Sequence, residues 1–151
     1  MRPASILLLS ACALASACSA VPDQLTPSIL DRDPGPFVPR DMLPVPPNVS
    51  RLIGEDDCQG STLAAVSARM PDYPHDAFVR GRQGWVVVRF NVQPDGQVDD
   101  ARIAHAVPDG PFNRVSRRAV SDWQFQPLAN GAQLENCVVL FEYRLGEVRL
   151  R

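Results

Sequence analysis

The chain holds 151 residues with a formal net charge of -2. Once an export leader and a proline-rich stretch are subtracted, about one small domain of roughly 90 residues remains, with room for one core. The charge gives no electrostatic ground for a nucleic-acid partner, and all 15 basic residues are arginine, a bias for which genome composition is the plain explanation.

Residues 1–17 read as a signal peptide of the lipoprotein type. Arg2 supplies the positive start, Ile6 to Leu9 opens an apolar run, and the small residues Ala15, Ser16 and Ala17 stand before Cys18. Leu14-Ala15-Ser16-Ala17-Cys18 resembles the bacterial lipobox, so Cys18 is the expected lipidation site and the new N-terminus. Cleavage at the similar Leu9-Ser10-Ala11-Cys12 leaves only about six apolar residues, short of the usual 7 to 15. The competing reading is an uncleaved membrane helix, since Ala4 to Pro22 carries no charge. Its 19 residues are rich in Ala, Ser and Cys, however, and barely reach the ~20 strongly apolar residues of a span.

Export leads to an oxidising compartment, and Cys58 and Cys137 are the cysteines left in the mature chain. They are expected to form a disulfide; two free thiols are the alternative. Two thiols and two distant histidines make no metal-ligand spacing.

Residues 18–57 are read as a proline-rich tether, because Ser19 to Asp57 carries eight prolines and little periodicity. In a polyproline-like form it reaches roughly 100 Å at ~3.1 Å per residue. Pro-x-x-Pro spacings such as Pro36 to Pro39 suit aromatic grooves, but a plain spacer is the simpler account. Residues 58–151 then make the folded domain.

Within it, Ser61 to Met70 sets a helical face of Leu63, Val66 and Met70 against an approach to Pro71 that favours extended backbone, and is read as extended or irregular. Pro74 suits a first helical turn, and His75 to Arg80 makes a short helix ended by Gly81, with Ala77 and Phe78 on its buried side. Gly84 to Ala106 reads as a β-hairpin. In its first strand Val86, Val88, Phe90 and Val92 point one way and Trp85, Val87, Arg89 and Asn91 the other, a half-buried pattern. Pro94-Asp95-Gly96 forces the turn. Val98 differs in parity from Ala101 and Ile103, so a bulge is expected near Asp99-Asp100.

Gly110-Pro111 opens a second helix, in which Phe112, Val115, Ala119 and Trp123 recur at helical spacing while Arg114, Arg117 and Arg118 form the solvated face. Pro127 ends it and Asn130-Gly131 signals a turn. Cys137 to Leu145 is the last strong strand, apolar on both faces at first and alternating from Glu142 onward, as suits an edge. The fold class is α+β: a two-layer sandwich with two helices on one face of a small antiparallel sheet, in the order β-α-β-β-α-β.

His75 and His105 lack a neighbouring acid and serine pattern, and neither a Gly-x-Ser-x-Gly elbow nor a phosphate loop is present. Asp95, Asp99 and Asp100 are read as solvated carboxylates. The chain is therefore read as no enzyme, with no cofactor, and recognition is left. An edge strand offers main-chain N–H and C=O groups onto which an extended partner segment pairs.

Tyr73-Pro74-x-x-Ala77, Gly81-x-x-Gly84-Trp85-Val86, Phe90-x-Val92-x-Pro94-Asp95-Gly96-x-Val98, Phe112 and Ala119-Val120-x-x-Trp123-x-Phe125-x-Pro127, followed by the closing strand, resemble the C-terminal domain of the TonB energy-transducer family over about Met70 to Leu145. The resemblance implies a periplasmic domain that pairs its last strand with the TonB box, a short extended segment of outer-membrane active transporters, in energy-coupled transport across the envelope. The docking edge carried onto this chain is Phe141, Glu142, Tyr143, Arg144, Leu145, Gly146, Glu147, Val148 and Arg149. The family's transducers also couple to a proton-driven motor complex in the inner membrane, whereas a lipid at Cys18 places this chain in the periplasm on a membrane anchor, the outer membrane rather than the inner. Where the family's well-known member has a Gln-Pro-Gln stretch implicated in partner contact, this chain has Met70-Pro71-Asp72, and only the proline carries over. The alternative is a structural envelope lipoprotein that uses the same edge as a scaffold or to form a homodimer, without motor coupling.

Overall fold

A computed structural model describes residues 34–129 and 131–151. The leader, Cys18 and Asn130 lie outside the described residues. Among the described residues no helix is long and apolar enough to cross a membrane.

The chain runs through β1 (Ala65–Ser67), α1 (His75–Val79), β2 (Gly84–Val92), β3 (Val98–Val107), α2 (Asn113–Ser121), β4 (Gln124–Phe125), β5 (Leu134–Arg144) and β6 (Glu147–Leu150). Four strands form one antiparallel sheet in the order β3-β2-β5-β6, and β1 pairs with β4 in a separate ladder. β1 falls within Ser61 to Met70, the stretch read as extended or irregular, whereas the two-residue β4 and its pairing with β1 carry no periodicity that a sequence reading can find.

The β2–β3 hairpin closes as its turn residues dictate. Gly96 takes φ +85°, the Gln93 amide donates to the Gln97 carbonyl at 2.8 Å, and the Asp95 carboxylate accepts from the Gln97 amide at 3.0 Å. The expected bulge falls at Asp100, whose φ is +47° and opposite which the register slips between Arg89 and Asn91. It brings Val98, Ala101 and Ile103 to one core.

That core holds Val86, Val88, Phe90 and Val92 of β2 with Phe141 and Tyr143 of β5, and it takes Ala77 from α1 and Val120 from α2. Both helices thus cover one face of the sheet, the α+β arrangement expected. Helix α2 is shorter than its periodicity suggested, and its buried line runs from Phe112 through Ser116 to Val120, leaving Val115 and Ala119 half-buried. A serine at the centre of that line hid it from a hydrophobic count.

The opposite face is not open to water. Trp85, Val87 and Leu140 pack there against Val49 and Leu52, so β2 is buried on both faces from Gly84 to Val88 rather than half-buried. The covering segment belongs to the stretch read as tether. Its Phe37 ring stands edge-on to Tyr73 at 5.6 Å and to Phe78 at 5.2 Å. The Arg40 amide donates to the Gly81 carbonyl at 2.9 Å. Farther along, the Arg89 guanidinium reaches the Leu52 carbonyl and, at 2.9 Å, the Asp57 carboxylate. The compact unit accordingly begins at Pro34, not at Cys58. Where proline keeps the arm extended its backbone makes no internal hydrogen bonds and is free to bond a neighbouring surface. At Val49–Arg51 it winds into one 3-10 turn, in which the Leu52 amide donates to the Val49 carbonyl at 2.9 Å, and Phe37, Val49 and Leu52 supply apolar anchors.

Candidate functional site: the C-terminal edge of the sheet

Between β5 and β6 the chain reverses over two residues, Leu145 at φ +52° and Gly146 at φ +81°. Two central residues with positive φ are what a tight hairpin requires, because their twist matches that of the flanking strands. Gly146 is needed for space as well: a Cβ there would lie 2.7 Å from the Phe78 ring and 3.2 Å from Phe37 Cβ. Gln83 ties this turn to the N-terminal arm, accepting from the Leu145 amide at 3.0 Å and donating to the Asp41 carbonyl at 2.8 Å.

The reversal divides the expected docking edge, Phe141 to Arg149, between two paired strands. Phe141, Glu142, Tyr143 and Arg144 face Leu150, Arg149, Val148 and Glu147 in turn, and Leu140 and Arg151 exchange backbone bonds at 2.9 and 3.3 Å. The outer flank of β5 is therefore occupied by the chain's own tail. Toward its other end the Cys58 amide donates to the Glu135 carbonyl at 2.7 Å, and Cys58 is joined to Cys137 by a disulfide. The sheet ends on β6.

This last strand is held lightly. Only Val148 packs against the core, while Glu147, Arg149 and Leu150 are largely exposed. The strand it covers is the reverse. Tyr143 is fully buried, stacked on Phe112 with centroids 4.2 Å apart and edge-on to Tyr73 at 5.5 Å. Its hydroxyl lies 2.7 Å from that of Ser116. Burial pushes the Tyr143 phenol far above its ordinary range, against a smaller opposing effect of the Ser116 bond, and burial raises Tyr73 to about 12. On the other face Glu142 is 1% exposed; its Oε2 meets Arg151 Nε at 3.1 Å, and its Oε1 has no hydrogen-bond partner among the described residues.

Met70, Pro71 and Asp72 line a cleft of about 540 Å³ with Val115, Arg118 and Ala119 of α2. Beside it Trp123 Nε1 donates to the Arg69 carbonyl at 2.8 Å, which fixes this segment to the end of α2. Among the described residues no group of three or more His, Cys, Asp or Glu is placed to hold a metal ion.

A two-layer α+β domain whose four-stranded antiparallel sheet ends on β3 at one side and on the four-residue β6 at the other defines the class: a small sheet-and-helix domain closed by a short C-terminal strand. The chain belongs to the family described as Gram-negative bacterial TonB protein C-terminal, which matches residues 69–145. It is similar to protein TonB of Pseudomonas aeruginosa, 38% identical over 64 residues, a match covering 42% of this chain and 19% of that one. Protein TonB of Escherichia coli K12 is 38% identical over 63 residues, covering 42% and 26%. The chain thus spans about a fifth to a quarter of these relatives. Among solved structures, the solution NMR structure of the Pseudomonas aeruginosa TonB C-terminal domain superposes with a TM-score of 0.51 at 28% identity, covering 62% of this chain and 96% of that one. Membership of this family agrees with the reading of the chain as a TonB C-terminal-like domain and not an enzyme.

Proposed function

We propose that the chain is a TonB-like periplasmic binding module that pairs β5 with an extended TonB-box segment of an outer-membrane transporter, serving energy-coupled transport across the envelope from a lipid anchor at Cys18. The observation that carries this is the contrast between the two terminal strands: β5 is deeply packed, whereas β6 is short and anchored to the core through Val148. A visiting segment that takes the place of β6 makes the same backbone ladder, so the exchange is nearly balanced in hydrogen bonds, and side-chain contacts decide it. Docking residues are then Phe141 to Arg144, with Leu145 and Gly146 as the hinge, and Glu147 to Arg149 is displaced together with Leu150 and Arg151.

A second reading is favoured by the tail already seated on β5: a scaffold lipoprotein that uses this edge for self-association, without a motor complex. The two separate on one experiment. Ending the chain after Gly146 removes the competitor, so a synthetic TonB-box peptide should bind this variant at least about tenfold tighter than the full chain and shift the amide signals of Phe141 to Arg144. Peptide binding by neither form, with dimers appearing on truncation, overturns the transporter reading in favour of the scaffold.

A further inference from the structure

Glu142 is a charged side chain 2% exposed, at the centre of the proposed docking strand. Its direct cross-strand partner on β6 is Arg149, but the Arg149 guanidinium turns to Glu147 at 3.3 Å. The cation that meets Glu142 comes from the diagonal neighbour Arg151, which faces Leu140. Diagonal neighbours across an antiparallel pair lie within reach of long side chains. Across the sheet on the other side Glu142 faces Trp85, whose buried Nε1 also has no partner among the described residues. Elsewhere on this face, Arg89 of β2 is committed to Asp57 and the Leu52 carbonyl, and Arg144, two residues beyond Glu142 on β5, is exposed at the end of the strand and makes no ion pair with Glu142 among the described residues.

A strand that displaces β6 therefore removes both arginines and covers Glu142 again. A covered carboxylate without a cation is strongly unfavourable, and a good docking segment must bring one. Resting on the reading that a partner replaces β6, we infer that the preferred segment runs antiparallel to β5 and carries an apolar residue facing Tyr143, where Val148 sits, and an arginine or lysine three residues later, facing Leu140. The pattern is apolar-x-x-basic, and Glu142 is the residue that selects it.

The test uses the full chain carrying Val148→Asp, which places a charge against the core and unseats β6. Two fluorescein-labelled ten-residue peptides are titrated into it, one centred on Glu-Val-Arg-Leu-Arg and one with the last arginine of that core replaced by glutamine. The arginine peptide should bind at least about tenfold tighter, and adding Glu142→Gln should reduce that ratio to about one. Equal binding of the two peptides overturns the selection by charge and leaves strand docking intact. Binding of neither removes the docking reading and this inference together. A ratio that survives Glu142→Gln shows that another group reads the cation and also overturns the inference. Should the Glu142→Gln chain fail to fold, the side-chain carboxyl NMR signal of Glu142 decides: the arginine peptide should shift it more than the glutamine peptide does, and equal shifts overturn the inference.

Discussion

The hydroxyls of Ser116 and Tyr143 meet at 2.7 Å in the buried layer between α2 and the sheet. Ser116 also bonds back to the Phe112 carbonyl at 2.9 Å, and Phe112 is the ring on which Tyr143 stacks. Helix, aromatic stack and β5 are thereby fixed to one another through a polar contact inside an apolar core. Ser116→Ala leaves the Tyr143 hydroxyl buried without its partner and should cost about 1–3 kcal/mol. Tyr143→Phe in the same chain should recover part of that loss, which a double-mutant cycle from urea unfolding will show.

Both tyrosines of this cluster hold their protons longer in the folded state than in the unfolded chain, Tyr73 to about 12 and Tyr143 beyond that. A folded state that binds more protons loses stability as pH rises. Stability contributed here is complete below about pH 10, the ordinary phenol value, and declines as the pH climbs from there through the folded values. Thermal melts between pH 9 and 12 should fall steeply, and Tyr143→Phe should flatten the decline.

Cys58 and Cys137 are separated by 79 positions in the chain, and their bond closes a loop that contains most of the domain. In the chain-entropy account such a loop stabilises by about 4 kcal/mol. Unfolding by urea with and without reductant should differ by about 2–5 kcal/mol. In the reduced form, hydrogen exchange at the Cys58 amide, which bonds the Glu135 carbonyl, should accelerate most.

Gly81 and Gly131 adopt nearly the same backbone angle, φ +62° and φ +61°. A Cβ on Gly81 would lie 1.9 Å from the Val38 carbonyl oxygen, whereas one on Gly131 meets nothing within 4 Å. Gly131→Ala should cost only the left-handed backbone penalty, about 1–2 kcal/mol. Gly81→Ala should cost more and lift the arm, seen as faster exchange of the Arg40 amide that bonds Gly81.

The Gly54 amide and then the Arg89 guanidinium hold the Asp57 carboxyl below its ordinary value. A lowered folded pKa contributes stability that is present above about pH 4 and lost as pH falls through the folded value. Asp57→Asn should therefore lower stability at neutral pH and shallow the loss between pH 4 and 2, measured by acid titration of the Trp fluorescence.

Local rules determined much of this chain. Pro94-Asp95-Gly96 dictated a turn, the parity change after Val98 required the bulge found at Asp100, and apolar alternation in β2 and β5 announced the sheet, because these signals act between residues close in sequence. Contacts between distant parts were decided only in three dimensions. The arm lies on Trp85 and Val87 because their face needed cover, although proline density alone suggested a free spacer. Ser116 is a core residue because Tyr143 comes down onto it. The tail folds back through Leu145 and Gly146, at a point where Phe37 and Phe78 leave no room for a side chain, and that fold places Arg151 on Glu142, a pairing that no spacing rule in the sequence contains.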